Sequence, residues 1–523
     1  MLLGRVCTFD ADTFEFITRK VIPSGMFVCY YEEDKPVLCR VCECTPLNEL
    51  PPELLDAESV KWEEIMEFFG FDTTNFKLFS VKAKLIGYFD KNLGEFINPR
   101  RMPPPGTPVE EAGRDVLVYL SKVGDGEGSA YIGEVLGTDV PVYISVRDIV
   151  SQHLSVIAST GAGKSYAVGV ILEEMMMPKN CASVLVLDPH GEYSSMVEIM
   201  NNQNFRSEEY RANVMVVKPE KIKVRLGDLE PEDLLSLIDD GNLSEKMRTF
   251  LTKAYYDAKE NILTYSSLIG AVEALGEDKR HESTVDALRW RLEKLRRVGV
   301  LDDYRGIPLR DYFRAGRLTI VDVSGIPDSL QQLVATVLLR LLFDARKGTI
   351  TGEYVEGDER YIPSPAFVVL EEAHRFAPRE GFSLSKKILK TILSEGRKFG
   401  VGVCLISQRP SKIDQDVLSQ CLSQITLRIV NPADQEYIAQ TVESFSRDIV
   451  RELPSLPTGV AIVSGICINT PTLVRVRNRI IKPRIGQSIN APAEWRRIAQ
   501  ETDDRMSEVP AHKSSSIEED LGI

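Results

Sequence analysis

A chain of 523 residues, 43% hydrophobic and 27% charged, holds enough apolar material for more than one core and has an ordinary globular composition. Its net charge of −14 excludes a surface coated for duplex binding, yet leaves open a ring that grips nucleic acid only along a central channel. No apolar run is clean enough to span a bilayer, no secretion leader shows at the N-terminus, and the nine cysteines are too scattered for a disulfide framework, so a cytoplasmic protein is expected.

From 1 to 146 the chain reads as short β segments between turns: Met26 to Tyr31, Val37 to Cys44, Val116 to Leu120 and Ala130 to Val135. A helical pattern from Leu54 to Phe69 interrupts them, so a small N-terminal β-barrel with one helical insertion is the simplest fold. Cys39, Cys42 and Cys44 crowd one segment, with Cys29 upstream. Three thiolates can hold zinc, but no second pair and no nearby His completes a tetrahedral set. The alternation of the segment marks them instead as small strand residues.

At Leu154 the pattern changes. Leu154 to Ala158 is an apolar strand, a Gly-rich turn follows, a helix runs from about Ser165 to Met177, and Ser183 to Leu187 is a second strand ending at Asp188. Strand, helix, strand is the unit of a parallel sheet, so the class is α/β. Further buried strands fit Leu318 to Val323, Ala366 to Leu370, Gly402 to Ser407 and Gln424 to Ile429. The expected division is a barrel over 1–146, an α/β core over 147–228 and 314–484, an inserted helical bundle over 229–313, and a flexible acidic tail over 485–523.

Ala158 to Ser165 sits between a strand and a helix, the context a phosphate-binding loop needs. Glycines let backbone N–H groups curl around a phosphate, and the helix N-terminus adds a favourable dipole. Thr160, Gly161, Ala162, Gly163, Lys164, Ser165 and Tyr166 are therefore the candidate nucleotide contacts, with Lys164 reaching the outer phosphates and Ser165 the Mg²⁺. Ala158 stands where such a loop usually begins with glycine, which is tolerable if its φ stays negative.

The strand Phe367 to Leu370 ends in Glu371 and Glu372, which delivers two carboxylates to the C-terminal edge of the sheet, where open α/β folds bind ligands. Glu371 is the candidate Mg²⁺ carboxylate and Glu372 the group that polarises the attacking water. His374, a lone histidine, reads as a structural hydrogen-bonder. Gln408 ends another strand, where a γ-phosphate sensor belongs. Arg397, near the end of a helix starting at about Ser383, has two readings: a cation complementing the helix dipole, or a finger reaching a neighbouring subunit's site.

These segments together resemble the HerA family of hexameric DNA translocases, related to FtsK among the RecA-like ATPases. The resemblance rests on Arg147 through Ser165, on Leu187-Asp188-Pro189-His190-Gly191-Glu192-Tyr193, on Leu370 through Arg375 and on Ile406 through Ser411, and spans about Leu3 to Ile480. It implies a RecA-like P-loop core with an inserted helical bundle behind a barrel, a homohexameric ring, and ATP with Mg²⁺ as cofactors. It makes Glu372 the catalytic carboxylate and Arg397 the trans-acting finger, and it puts Asp188 and Arg147 near the nucleotide. It also implies DNA in the central channel and a partner effector, either a NurA-like nuclease or a sirtuin-type or other effector of antiphage defence. The rival reading is a platform that gates an effector without moving along DNA. Arg379, Lys386, Lys387 and Lys390 gather before Arg397 and are the candidate channel cations, each open to the plainer reading of a solvated helix face.

Overall fold

The computed structural model describes residues 1–47, 78–239, 241–260, 262–276, 281–482 and 491–507, with side chains only to residue 500 in the last segment. The expected helix from Leu54 to Phe69 lies outside the described residues.

Seven strands come first: β1 (Leu2–Phe9), β2 (Thr13–Thr18), β3 (Phe27–Glu32), β4 (Lys35–Pro46), β5 (Phe79–Asp90), β6 (Glu95–Ile97) and β7 (Pro108–Glu111). Their order is β2-β1-β7-β3-β4-β5-β6, and a further β2–β5 pairing closes the first six into a barrel around Phe14, Phe16, Val28, Val37 and Val81. Closure leaves those six strands without a free edge. Cys39 is buried in this wall and Cys29 beside it, and burial pushes the Cys29 thiol up to about 11. Among the described residues no group of cysteine, histidine and carboxylate is placed to hold a metal.

The barrel ends at Glu111. The run Val116 to Leu120, expected as a strand, is a helical turn over Arg114–Leu117 followed by a tighter one over Val118–Leu120. Its buried residues Val116, Leu117 and Leu120 fall at helical spacing, which overrides the β preference of valine and tyrosine. The next strands, β8 (Ser129–Val135) and β9 (Pro141–Ser145), also depart from the expected barrel, because β8 pairs with the far end of the second sheet.

That sheet has eleven strands. Its members are β8, β9, β10 (Leu154–Ile157), β11 (Ser183–Asp188), β12 (Asn213–Val217), β15 (Arg317–Asp322), β16 (Ala366–Leu370), β17 (Val401–Ser407), β18 (Ser423–Thr426), β19 (Val460–Gly465) and β20 (Thr472–Val476). The order is β12-β15-β11-β16-β17-β10-β18-β19-β20-β8-β9, parallel from β12 to β18 and antiparallel beyond. Parallel strands covered on both faces are apolar throughout, and the period of two splits each between two cores. Ala366, Val368 and Leu370 of β16 enter one core, while Phe367 and Val369 enter the other.

Helices α1 (Val146–Ser151) and α2 (Lys164–Met175) flank β10. The insertion carries α3 (Pro231–Ile238), α4 (Glu245–Lys259), α5 (Tyr265–Ala274) and α6 (Glu282–Arg297), with two-residue strands β13 (Val224–Arg225) and β14 (Leu301–Asp302) at its base. Then come α7 (Asp328–Thr351), α8 (Leu384–Phe399), α9 (Pro432–Thr441) and α10 (Ala491–Ser507). The helix α10 occupies part of the expected flexible tail. No helix among the described residues is long and apolar enough to cross a membrane.

Candidate active site

The register of β10, β17 and β16 brings three chain segments to one edge. Ile157 pairs with Ser407 and Leu370 with Leu405, so the loop after β10, the acids after β16 and Gln408 after β17 leave the sheet side by side. Between β10 and β16 lies only β17, which lets a lysine from one segment meet carboxylates from another.

The loop turns through Gly161 at φ +76° and Gly163 at φ +102°, a region side chains with a Cβ rarely adopt. Ala158 is buried and is absent from the positive-φ residues, so the missing first glycine causes no backbone strain. Lys164 opens α2 and is 6% exposed. Its Nζ contacts Glu371 Oε1 and lies 3.2 Å from Glu372 Oε1. Burial works against this ammonium, but the two carboxylates outweigh it and hold its pKa above the ordinary lysine value. Burial pushes the Glu371 carboxyl upward, opposed by Lys164 and by the Tyr193 hydroxyl, which donates to Glu371 Oε2 over 2.6 Å.

Glu372 is 5% exposed and has φ +52°, a left-handed conformation that costs a non-glycine residue of the order of 1–3 kcal/mol. Gln408 donates to its Oε1 over 2.9 Å, and Thr160 Oγ1 donates to the Gln408 side-chain Oε1 over 2.6 Å. The phosphate loop, the acid pair and the sensor amide thus form one hydrogen-bonded circuit. His374 Nδ1 lies 3.3 Å from both Glu372 Oε2 and Ser407 Oγ, and burial keeps the ring's pKa below normal.

Asp188 does not line this circuit. Its carboxylate accepts from the backbone N–H groups of His190, Gly191 and Tyr193 at 3.1, 2.8 and 3.0 Å, and so shapes the loop after β11. That loop presents what sequence reasoning left unassigned: Glu192, whose Oε2 accepts from Ser165 Oγ, and Tyr193 on Glu371. A polar run directly after a strand, with a glycine three residues past Asp188, was the available signal. Tyr166 lies apart, its hydroxyl accepting from the Arg479 N–H over 2.8 Å where the strap after β20 crosses α2. Arg477 pairs with Glu173 and Glu174 at 2.8 and 2.9 Å and ties that strap to the same helix.

Arg147 and Arg397 lie at the other edge. Arg397 ends α8 just before β17 begins, whereas Gln408 follows the end of β17. Seven residues of strand put roughly 20 Å between those two points. Arg147 and Arg397 line one open cleft of about 890 Å³ with Lys122, Asp148, Ser151 and Gln152. Both are exposed. Of the candidate channel cations, Lys386 is paired with Asp414 at 2.7 Å, and Lys390 with Asp414 at 3.1 Å and Asp416 at 2.7 Å. Lys387 is exposed, and Arg379 stacks over the Tyr437 ring at 5.2 Å.

Comparison with known proteins agrees with the build. Residues 130–342 match the family "Helicase HerA, central domain" and 356–507 match "Helicase HerA-like C-terminal". A probable helicase of Methanocaldococcus jannaschii is 30% identical over 89% of this chain and 88% of its own length. The DNA double-strand break repair helicase HerA of Pyrococcus furiosus is 31% identical over 74% of this chain and 75% of its own. Among solved structures, VirB4 of Thermoanaerobacter pseudethanolicus is similar at TM-score 0.49 and 13% identity, over 68% of this chain and 97% of its own. With an N-terminal barrel, a P-loop core and these relatives, the chain belongs to the HerA helicase family.

Proposed function

We propose that the protein is an ATP-driven DNA translocase or helicase that works as a six-subunit ring. The observation that carries the reading is the separation just described. Lys164, Ser165, Glu371, Glu372 and Gln408 meet at one sheet edge, while Arg397 stands at the other, beyond reach of its own phosphate loop. An arginine so placed serves a site only across a boundary between copies. A hydrolysis site completed by the neighbour needs a closed assembly, and a ring supplies a channel for a polymer.

The residues fit a magnesium nucleotide. The positive-φ glycines turn the loop into a cradle, and Ser165, held by Glu192, with Glu371 is an oxygen-only donor set, the kind Mg²⁺ takes. Bound there, Mg²⁺-ATP supplies the phosphoryl group whose transfer to water drives movement. Lys164 binds the outer phosphates, exchanging part of its contact with the acid pair. Glu372 orients and accepts a proton from water, held to its task by Gln408 and His374. Gln408, bonded to both Thr160 and Glu372, reports the state of the site along β17.

DNA enters the reading through the family and the free cations near α8. A partner effector, a nuclease or a defence enzyme, is assigned to the barrel, which among its described residues carries no group of side chains placed to hold a metal. The test is ATP turnover by the purified protein with and without DNA at low salt. DNA is expected to raise the rate, and its lack of any effect would overturn translocation.

A further inference from the structure

We propose that Phe382 and the cations around it form a contact for single-stranded DNA, mechanically tied to the nucleotide site. The proposal deepens the translocase reading and rests on it. Phe382 is 77% exposed, the most of any large hydrophobic residue among those described. It does not sit on loose chain. Ser383 and Ser385 Oγ donate to the Phe376 carbonyl at 3.0 and 2.6 Å, and Lys386 Nζ donates to the Pro378 carbonyl at 2.9 Å. Only Glu380, Gly381 and Phe382 stand clear, and Gly381 at φ +86° makes the turn that carries the ring outward.

A pinned loop that holds an aromatic ring in water forgoes the gain from burying it, and here the ring stands beside exposed cations. The surroundings favour a polyanion. Arg379, Lys387 and Lys412 are exposed and make no ion pair among the described residues, against one exposed carboxylate on the tip, Glu380. Cations with an interleaved aromatic ring suit single strands, whose bases offer π-faces to stack on while phosphates meet the charges. A closed duplex hides those faces.

The loop is also wired to the site. Arg379 N–H donates to Lys412 O at 2.7 Å and Asp414 N–H to Ala377 O at 2.9 Å, a short ladder between the segments that follow Glu372 and Gln408. A shift of Gln408 against Glu372 therefore reaches Phe382 through paired backbone, not through mobile side chains.

The experiment measures binding of the full chain to a fluorescent oligothymidine and to a blunt duplex at low salt, with oligomeric state followed by light scattering. Phe382→Ala is expected to weaken single-strand binding by about 5- to 100-fold, the range for losing one stacked base, with a smaller effect on duplex. Phe382→Trp restores it, and turnover without DNA stays unchanged. Unaltered single-strand affinity in Phe382→Ala, beside a wild type that binds, overturns this proposal alone. Dissociation of the oligomer by Phe382→Ala overturns it in favour of a contact between copies. A wild type with no affinity for either DNA overturns the translocase reading as well.

Discussion

The two edges of the parallel sheet use charge in opposite ways. At the C-terminal edge the ammonium of Lys164 meets Glu371 and Glu372, Gln408 shares Glu372 Oε1 with it, and Tyr193 and His374 occupy the remaining carboxylate oxygens. At the N-terminal edge Arg147 and Arg397 stand exposed with no ion pair among the described residues. Burial forces the first arrangement, because an unanswered charge inside a protein costs several kcal/mol. Water permits the second, since an exposed guanidinium loses nothing while alone and remains available to another copy. One edge pairs its charges within the chain and the other leaves its cations unpaired.

The largest expected effect tests that division directly. Arg397→Ala should lower ATP turnover by about 10³- to 10⁵-fold, the range for a trans-acting arginine, while nucleotide affinity holds. Lys164→Ala should be equally inactive. Mixing the two inactive proteins under conditions that exchange subunits should restore activity, because one boundary in the mixed ring joins an intact Lys164 to an intact Arg397. No recovery at any ratio, with mixed oligomers shown to form, would place both groups in one subunit's site and erase the comparison.

The edges were not equally legible in the sequence. Glu371, Glu372 and Gln408 follow apolar strands directly and Lys164 follows one through a short glycine-rich loop, so their placement at one sheet edge follows from period, length and loop composition. Glu192 was harder, because the loop after β11 is shaped by three backbone bonds to Asp188 that no pattern displays. The segment that forms β8 reads correctly as a strand, but alternation does not say which sheet a strand joins, and pairing with β20 across more than three hundred residues decided it. The lysines of α8 were misleading for a related reason. Asp414 and Asp416, which neutralise two of them, lie on the far side of β17 in sequence.

A smaller effect sharpens the account of the complete edge. Glu192 holds Ser165, and groups that orient metal ligands typically contribute about 10- to 100-fold to metal affinity or activity. Glu192→Gln should raise the Mg²⁺ concentration needed for half-maximal turnover within that range, while nucleotide binding measured in EDTA stays near wild type. Equal weakening with and without Mg²⁺ would make Glu192 a loop support only.

Acid should loosen the other edge first. His153 is buried at the start of β10, with Nδ1 accepting from the Val403 N–H at 3.1 Å and Nε2 at 3.0 Å from the Leu393 carbonyl of α8, the helix that ends in Arg397. Burial lowers its pKa to about 4, against 6.5 in the unfolded chain. Between those values the unfolded state binds a proton that the folded state refuses, so stability falls as pH drops from 6.5 toward 4 and is indifferent above. At pH 5 the loss is on the order of 2 kcal/mol. His153→Asn, which tolerates the φ of +63° at this position, should show a smaller drop in Tm between pH 7.5 and pH 5. A wild-type Tm that is flat over the window would mean the ring is protonated in place.

The smallest effect separates paired from free cations on one helix face. Lys390 is held by Asp414 and Asp416, so its replacement leaves two carboxylates behind and removes little attraction for phosphate. Lys387 has no such partner among the described residues. Lys387→Ala should therefore reduce the slope of log affinity for DNA against log salt by about 1, since one fewer counterion is released. Lys390→Gln should leave the slope unchanged while shifting affinity only through the newly exposed acids, and Lys390→Gln with Asp416→Asn should return it to wild type. Equal slopes for the two single variants would show that local pairing does not screen these lysines from the strand, and that the free cations of this face hold no special place.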